Sequence, residues 1–258
     1  MVNASAQLTA SFVALALLVA GAFVVAVHRS ARATGHTPAQ ARREGLLAVV
    51  GTAAWLGATA LAAAGGLLSF TSRPPTMLLL VAAIVIVAVT LGVSRLGERL
   101  ATGLPLAVLV GAQAFRFPLE LIMHRAYAEG LMPVQMSYAG RNFDIVTGVS
   151  ALLVATVLIW RPRALALARL WNVMGVVLLA NILVIAMLSA PTPFRVFHNE
   201  PANIWVTQAP WVWLPAVFVL AAILGHLLVF RRLRREARAG AGAASGGRAA
   251  AMPHPVRD

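Results

Sequence analysis

The sequence contains no cysteine and no lysine, and it has few charged residues of any kind. Without cysteine there can be no disulfide, zinc–thiolate site, iron–sulfur cluster or cysteine nucleophile. Without lysine there can be no Schiff base to retinal or pyridoxal phosphate and no P-loop lysine. Charged residues make up 11% of the 258 residues, against about 25% in an average soluble domain. We therefore expect no cofactor, and a water-soluble globule is excluded.

Hydrophobic residues make up 60% of the chain and are gathered in long runs bounded by charge. Runs of this length can cross a hydrocarbon core of about 30 Å as helices, and they lack the alternation of a membrane barrel. The sequence predicts an all-α, polytopic membrane protein with seven transmembrane helices, at Leu8–Val27, Leu46–Ser69, Met77–Val93, Leu104–His124, Phe143–Trp160, Leu170–Leu188 and Trp211–Phe230.

The arginines predict the orientation of these helices. Sixteen arginines lie in the loops 28–44, 94–103 and 161–169 or in the tail after residue 230, and four lie in the loops on the other side. Cytoplasmic loops carry the excess of positive charge, so we expect the N-terminus outside and the C-terminus in the cytoplasm. Because Arg29 and Arg32 follow the first run and no basic residue precedes it, that run should remain as an anchor.

The net charge of +13 is explained by this distribution, since arginines on the cytoplasmic side meet anionic lipid headgroups. We therefore expect the lipid bilayer and its anionic lipids as partners, and no nucleic acid. Residues 1–230 should form the seven-helix membrane domain. Residues 231–258 are basic and rich in glycine and alanine, which predicts a disordered cytoplasmic tail.

The fourth apolar run carries three ionisable residues, Arg116, Glu120 and His124. Their spacing of four residues places them along one face of a helix. Each charge facing lipid near the midplane would cost about 2.5–3.5 kcal/mol, so this face should point into the bundle or a wet cavity. Arg116 and Glu120 are spaced to pair. Pro118 should kink the helix and free the carbonyl of Ala114.

The stretch after His124 mixes apolar and polar residues, which predicts an interfacial or partly re-entrant segment rather than a free loop. It contains Glu129 and Asn142 and leads to Asp144 at the start of the next run. Three arginines and three carboxylates between residues 116 and 144 balance one another, as paired charges in a low-dielectric place should. The candidate ligand-binding residues are Arg116, Glu120, His124, Asn142 and Asp144.

This region resembles a motif of uncharacterised bacterial multi-pass membrane proteins. The resemblance covers about 34 residues and rests on Phe115-Arg116-Phe117-Pro118-x-Glu120, His124, Glu129-Gly130-x-x-Pro133 and Gly140-Arg141-Asn142-Phe143-Asp144-Ile145-x-Thr147-Gly148. It implies a multi-pass protein of the bacterial plasma (inner) membrane whose centre is formed by the fourth and fifth helices. It implies no activity.

Three functions fit these observations. The first is binding, transport or sensing of a small polar or anionic ligand in the outer half of the bundle, with intramembrane carboxylates and imidazoles available for proton coupling. The second is a structural or assembly subunit in which the charges only lock helices together. The third is an intramembrane metal-dependent enzyme using His124, Asp144, His198 and Glu200. No His-Glu-x-x-His or Gly-x-Ser-x-Gly motif is present, so we predict no metal site and favour a non-enzymatic role.

Overall fold

A computed structural model describes the backbone of residues 4–250 and the side chains of residues 4–239. The described residues form helices and loops and contain no strand. The α-helices are α1 Ala6–Ala33, α2 Pro38–Ala64, α3 Thr76–Val93, α4 Arg95–Gly103, α5 Leu106–Gly111, α6 Arg116–Ala128, α7 Asp144–Trp160, α8 Leu165–Ser189 and α9 Leu220–Ala250. A 3₁₀ segment, Ala112–Phe115, joins α5 to α6, and a π-helical segment, Leu214–Val219, precedes α9.

Six of the described helical stretches are long and apolar enough to cross a membrane: α1, α2, α3, α5 with α6, α8, and the π segment with α9. The seventh apolar helix, α7, has 17 residues. The predicted all-helical architecture is confirmed, and the helices are those of a multi-pass membrane protein. Seven crossings and the orientation of the termini stay predictions.

Polar side chains at the helix starts explain several boundaries. The Ser5 hydroxyl accepts a hydrogen bond from the backbone N–H of Leu8, and Thr37 forms a capping box with Gln40. Such caps satisfy backbone donors that the first turn of a helix leaves free. Pro38 occupies the first position of α2, where its missing N–H costs nothing.

The arginine-rich loops all lie at one end of the bundle, which we call the basic end. Here Arg231 donates to the carbonyl of Gly92 at 2.6 Å, and Arg232 donates to the carbonyl of Leu104 at 3.0 Å. These two arginines of α9 therefore bind the C-terminal ends of α3 and α4, where the last carbonyls of a helix lack partners. The disordered tail was predicted to begin at residue 231, but α9 continues to Ala250. Residues 251–258 lie outside the described part of the chain, so the tail stays a prediction.

The connections 129–143 and 190–213 lie at the other end, which we call the loop end. Two hydrophobic clusters fill the bundle, one toward each end. The cluster toward the loop end centres on Phe12, Phe115 and Phe218, whose rings pack at centroid distances of 5.4 and 5.9 Å. The cluster toward the basic end includes Trp171 and Leu224. The buried Arg116 lies between them, since Ala114 packs on the cluster toward the basic end and Leu119 belongs to the cluster toward the loop end.

The connection between α6 and α7 returns deep into the bundle. Twelve residues, or about 18 Å of helix, separate Arg116 from the end of α6, yet Asp144 at the start of α7 contacts Arg116. Residues 129–143 must therefore run back along α6 before α7 begins. Their polar groups are bound inside the protein, for example Gln135 by Ser189 at 2.8 Å and the carbonyl of Met136 by Asn142 at 3.0 Å. Non-helical backbone at membrane depth requires such satisfaction.

Candidate ligand-binding site

Arg116 is buried at the start of α6 and makes two kinds of contact. Its Nε donates to Asp144 Oδ2 at 2.5 Å, and its Nη2 donates to Asp144 Oδ1, so the guanidinium and the carboxylate form a bidentate pair. Its Nη1 donates to Nε2 of His226 on α9 at 2.8 Å. Arg116 forms no ion pair with Glu120 within the described chain. The pair of Arg116 with Glu120 that the spacing allowed is replaced by a pair of Arg116 with Asp144, between α6 and α7.

His226 has one arrangement of its ring hydrogen that fits its neighbours. Arginine only donates, so Nε2 of His226 must accept and carry no proton. Nδ1 then carries the hydrogen and donates to Oδ1 of Asn172 on α8 at 2.8 Å. A Cβ on Gly175 would lie 2.4 Å from the His226 ring, so glycine makes room for the imidazole. The site residues predicted from the sequence did not include His226 and Asn172, which lie closer to the basic end.

Glu120 lies one turn after Arg116 and is held by Asn142. The Asn142 amide donates to Glu120 Oε2 at 2.7 Å and to the carbonyl of Met136 at 3.0 Å, and its Oδ1 accepts from the backbone N–H of Asp144 at 3.0 Å. Oε1 of Glu120 makes no hydrogen bond to any residue that the structure describes. Asn142 therefore links Glu120 to the Arg116–Asp144 pair. We call the whole set the polar network: Arg116, Glu120, Asn142, Asp144, Asn172 and His226.

A close approach of α6 and α7 makes the pair between Arg116 and Asp144 possible. A Cβ on Gly148 would lie 2.3 Å from the backbone nitrogen of Phe117 and 2.9 Å from the carbonyl carbon of Arg116. Only glycine allows the two backbones to come this near. α5, the 3₁₀ segment Ala112–Phe115 and α6 form one helical stretch. Its irregular turn is the 3₁₀ segment, which ends just before Arg116; Pro118 follows two residues after Arg116.

Four of the five predicted site residues come together, and His124 lies apart from them. Its ring stacks on Tyr138 with centroids 4.4 Å apart, and its Nδ1 is buried without a hydrogen bond to a described residue. Glu200 pairs with Arg195 at 2.9 Å in the exposed connection at the loop end. His198 is not grouped with these residues: in the described chain, no three His, Asp or Glu side chains lie close enough to hold a metal ion.

A cavity of about 160 Å³ meets the polar network from the loop-end half of the bundle. This is roughly ten times the space that one water molecule needs. Its walls are apolar side chains of α3, α6, α8 and the π segment with the first turn of α9. Four polar residues line it: Arg116, Glu120 and Asp144, which are buried in the bundle, and Asn203 of the connection before the π segment.

The cavity opens sideways between α3 and α8. Its lining residues on α6 and α7 are buried, whereas the partly exposed ones lie on α3, on α8 and on the π segment between them; they are Val81, Val85, Ile182, Leu183, Ala186, Met187, Pro215 and Val219. Both helices are candidate membrane spans. The opening therefore lies on an apolar face of the bundle, between two helices of membrane-span length.

The fold and the site define a class: a multi-pass helical membrane protein with a buried polar network at the inner end of an apolar cavity. Residues 73–234 match the family described as "Domain of unknown function (DUF8737)", and the chain belongs to this family. The match covers well over half of the chain and includes the whole polar network. No curated protein and no solved structure matches the chain. The predicted membership of a family without an assigned activity is confirmed; the shared motif and the bacterial source stay predictions.

Proposed function

We propose that the chain is a seven-span protein of the bacterial inner membrane that binds a small ligand in the cavity, as a receptor, carrier or sensor. The orientation that the arginines favour puts the N-terminus outside and the cavity in the outer half. Exposed arginines such as Arg29, Arg161 and Arg163 would then meet anionic lipids on the cytoplasmic side.

The observation that carries this proposal is the free oxygen of Glu120 at the end of an apolar cavity. Ligand sites combine mostly apolar walls with a few polar groups that fix the orientation of the ligand. Here the walls come from four helical segments, and the polar groups are those of Glu120, Arg116 and Asp144. The sequence suggested a small polar or anionic ligand, whereas this arrangement favours one with an apolar body and a polar end.

A structural role for part of the network is favoured by a separate observation. Arg116, Asp144 and His226 bind one another across α6, α7 and α9, and Asn172 adds α8. These groups leave little hydrogen-bonding capacity for a ligand, because both oxygens of Asp144 and both nitrogens of His226 already have partners. We assign the locking of the helices to this part and ligand contact to Glu120.

Photolabelling tests whether ligands reach the cavity. The purified protein is reconstituted in vesicles and irradiated with an eight-carbon alcohol that carries a diazirine near its chain end, and labelled residues are identified by mass spectrometry. We expect label on Met123 and Phe218, which are buried and line the cavity. Lipid that only surrounds the bundle cannot reach these side chains.

Two matched leucine variants complete this experiment. Leu183→Trp places an indole at the cavity opening and should remove the label from Met123 and Phe218. Leu153→Trp makes the same change on α7, where the side chain is 64% exposed, and should leave the label in place. Label confined to exposed residues such as Ile86, in the wild-type protein, would refute the proposal.

A further inference from the structure

The charges at the inner end of the cavity do not balance. Arg116 is paired with Asp144, and His226 accepts a hydrogen bond from Arg116 through a ring nitrogen that must be unprotonated. His124, one turn beyond Glu120, stacks on Tyr138 instead of facing the carboxyl group. Glu120 is therefore the carboxyl group of this cluster without a cationic partner among the described residues.

An ionised carboxylate without a partner is strongly disfavoured in an apolar interior. The single donor from Asn142 does not neutralise it. Two arrangements remove the unpaired charge: a proton on Glu120, or a cation bound beside it. Arg116, the cation that lines the cavity, is already paired with Asp144, so the first arrangement belongs to the protein without ligand and the second to a complex.

We propose that the ligand is a cationic amphiphile, with a protonated amine that donates to Oε1 of Glu120 and an apolar body that lies along α3 and α8 toward the bilayer. Binding replaces the proton of Glu120: its O–H bond breaks, the proton leaves to solvent, and the carboxylate pairs with the ammonium group without forming a covalent bond. This inference rests on the proposed function and names the ligand of the same site.

An anionic head would be less suited to this place. It would meet the carboxylate of Asp144 and could accept only the single O–H of a protonated Glu120, and three of the five N–H groups of Arg116 already have acceptors within the protein. A neutral alcohol could accept or donate one hydrogen bond but would gain nothing from the charge of Glu120. Ligands with the same chain and different head groups should therefore differ in affinity, and this difference distinguishes the three ligand classes.

Octylamine, octanol and octanoate share one chain and differ in the head, so they form the test set. Each is measured in radiolabelled form by equilibrium binding to nanodiscs that contain the protein, with empty nanodiscs subtracted. We expect octylamine to bind at least about tenfold more tightly than the other two. Because an alkylamine stays protonated from about pH 6 to about pH 8, release of one proton from Glu120 should tighten its binding by up to about tenfold per pH unit.

Matched glutamate variants give the second readout. Glu120→Gln keeps the shape of the side chain but removes the charge, so octylamine should bind no better than octanol and with no pH dependence. Glu98→Gln makes the same change at the basic end, where Glu98 is exposed and pairs with Arg231, and should bind as the wild type does. If Glu120→Gln does not fold, the comparison of the three heads and the pH profile of the wild type still decide.

The possible outcomes separate this inference from the proposed function. Octanol or octanoate binding as tightly as octylamine, or a flat pH profile, would overturn the cationic ligand while leaving a ligand site in place. Saturable binding of none of the three, together with failure to label Met123 and Phe218, would overturn both. Preferential binding of octylamine that is lost in Glu120→Gln supports both.

Discussion

Replacement of Arg116 by methionine should destabilise the protein far more than the same change at Arg125, nine residues further along α6. Arg116 is 1% exposed and forms a bidentate pair with Asp144 and a hydrogen bond to His226. In Arg116→Met, the carboxylate of Asp144 stays buried without its counter-charge, and His226 loses its donor. The guanidinium of Arg125 lies largely in solvent, where it pairs with Glu129.

Removing one partner of a buried ion pair costs about 3–5 kcal/mol, because the remaining charge is left uncompensated. An exposed pair such as that of Arg125 contributes little. At about 2–4 °C per kcal/mol, the relation for globular domains of this size, Arg116→Met should lower Tm by roughly 6–20 °C. Asp144→Asn should have an effect in the same range, since it leaves Arg116 without a carboxylate.

The assay is thermal unfolding of the detergent-purified variants, extended to a double-mutant cycle. Because Arg116→Met removes the charge that Asp144→Asn leaves unpaired, the double variant should be less destabilised than the sum of the single variants. Asn at position 144 can still accept from the surrounding chain. Unfolding of Arg116→Met at the temperature of Arg125→Met, or single effects that simply add, would refute a stabilising pair between Arg116 and Asp144.

Two more predictions concern the loop end and the close approach of the helices. The carboxylate of Glu129 accepts hydrogen bonds from the backbone N–H of Ser5, the guanidinium of Arg125 and the hydroxyl of Ser5, which lower its pKa from 4.5 to about 2. These contacts should stabilise the protein above about pH 4.5, and the stabilisation should be lost as the pH falls from 4.5 toward 2. Thermal unfolding measured across this pH range detects the loss. Gly148→Ala should cost about 1–3 kcal/mol, because the methyl group would overlap the backbone of Phe117, and should lower Tm in the same assay.

Each of these two predictions has an internal control. Glu129→Gln should remove the part of the acid-dependent loss that belongs to this carboxyl group, so an unchanged acid profile would contradict the pKa argument. Gly51→Ala changes a glycine of α2 whose added methyl group would meet nothing within 4 Å. It should leave the stability unchanged or raise it slightly; equal losses for Gly51→Ala and Gly148→Ala would mean that the close approach is not responsible.

The helical architecture could be predicted because each membrane helix hydrogen-bonds its own backbone groups and is visible in the sequence as an apolar run. The predicted run Phe143–Trp160 differs by one residue from α7 Asp144–Trp160, and Met77–Val93 differs by one from α3 Thr76–Val93. The π segment and the division of the fourth run into α5, a 3₁₀ turn and α6 were not predicted. They depend on contacts between helices, such as the hydrogen bond from Trp55 to the carbonyl of Ala216.

The sequence predicts the site residues that lie on one helix better than the residues of other helices that contact them. Arg116 and Glu120 stand out because charges are rare in apolar runs, and Asn142 and Asp144 follow them closely in sequence. His226 also stands inside an apolar run, but it lies 110 residues from Arg116, and spacing along one helix says nothing about contacts at such a separation. His124 shares the spacing of Arg116 and Glu120, yet stacking on Tyr138 takes it out of the network.

The separation of 28 positions between Arg116 and Asp144 has a consequence for how the chain enters the membrane. When α6 leaves the ribosome, Asp144 has not yet been synthesised, and an arginine near the centre of the span Leu106–Ala128 costs about 2.5–3.5 kcal/mol on insertion. Asp144 arrives only after the returning connection has been made. The two helices should therefore enter lipid as one hairpin with its charges already joined, and a ribosome stalled before Asp144 should hold α6 in the insertion channel.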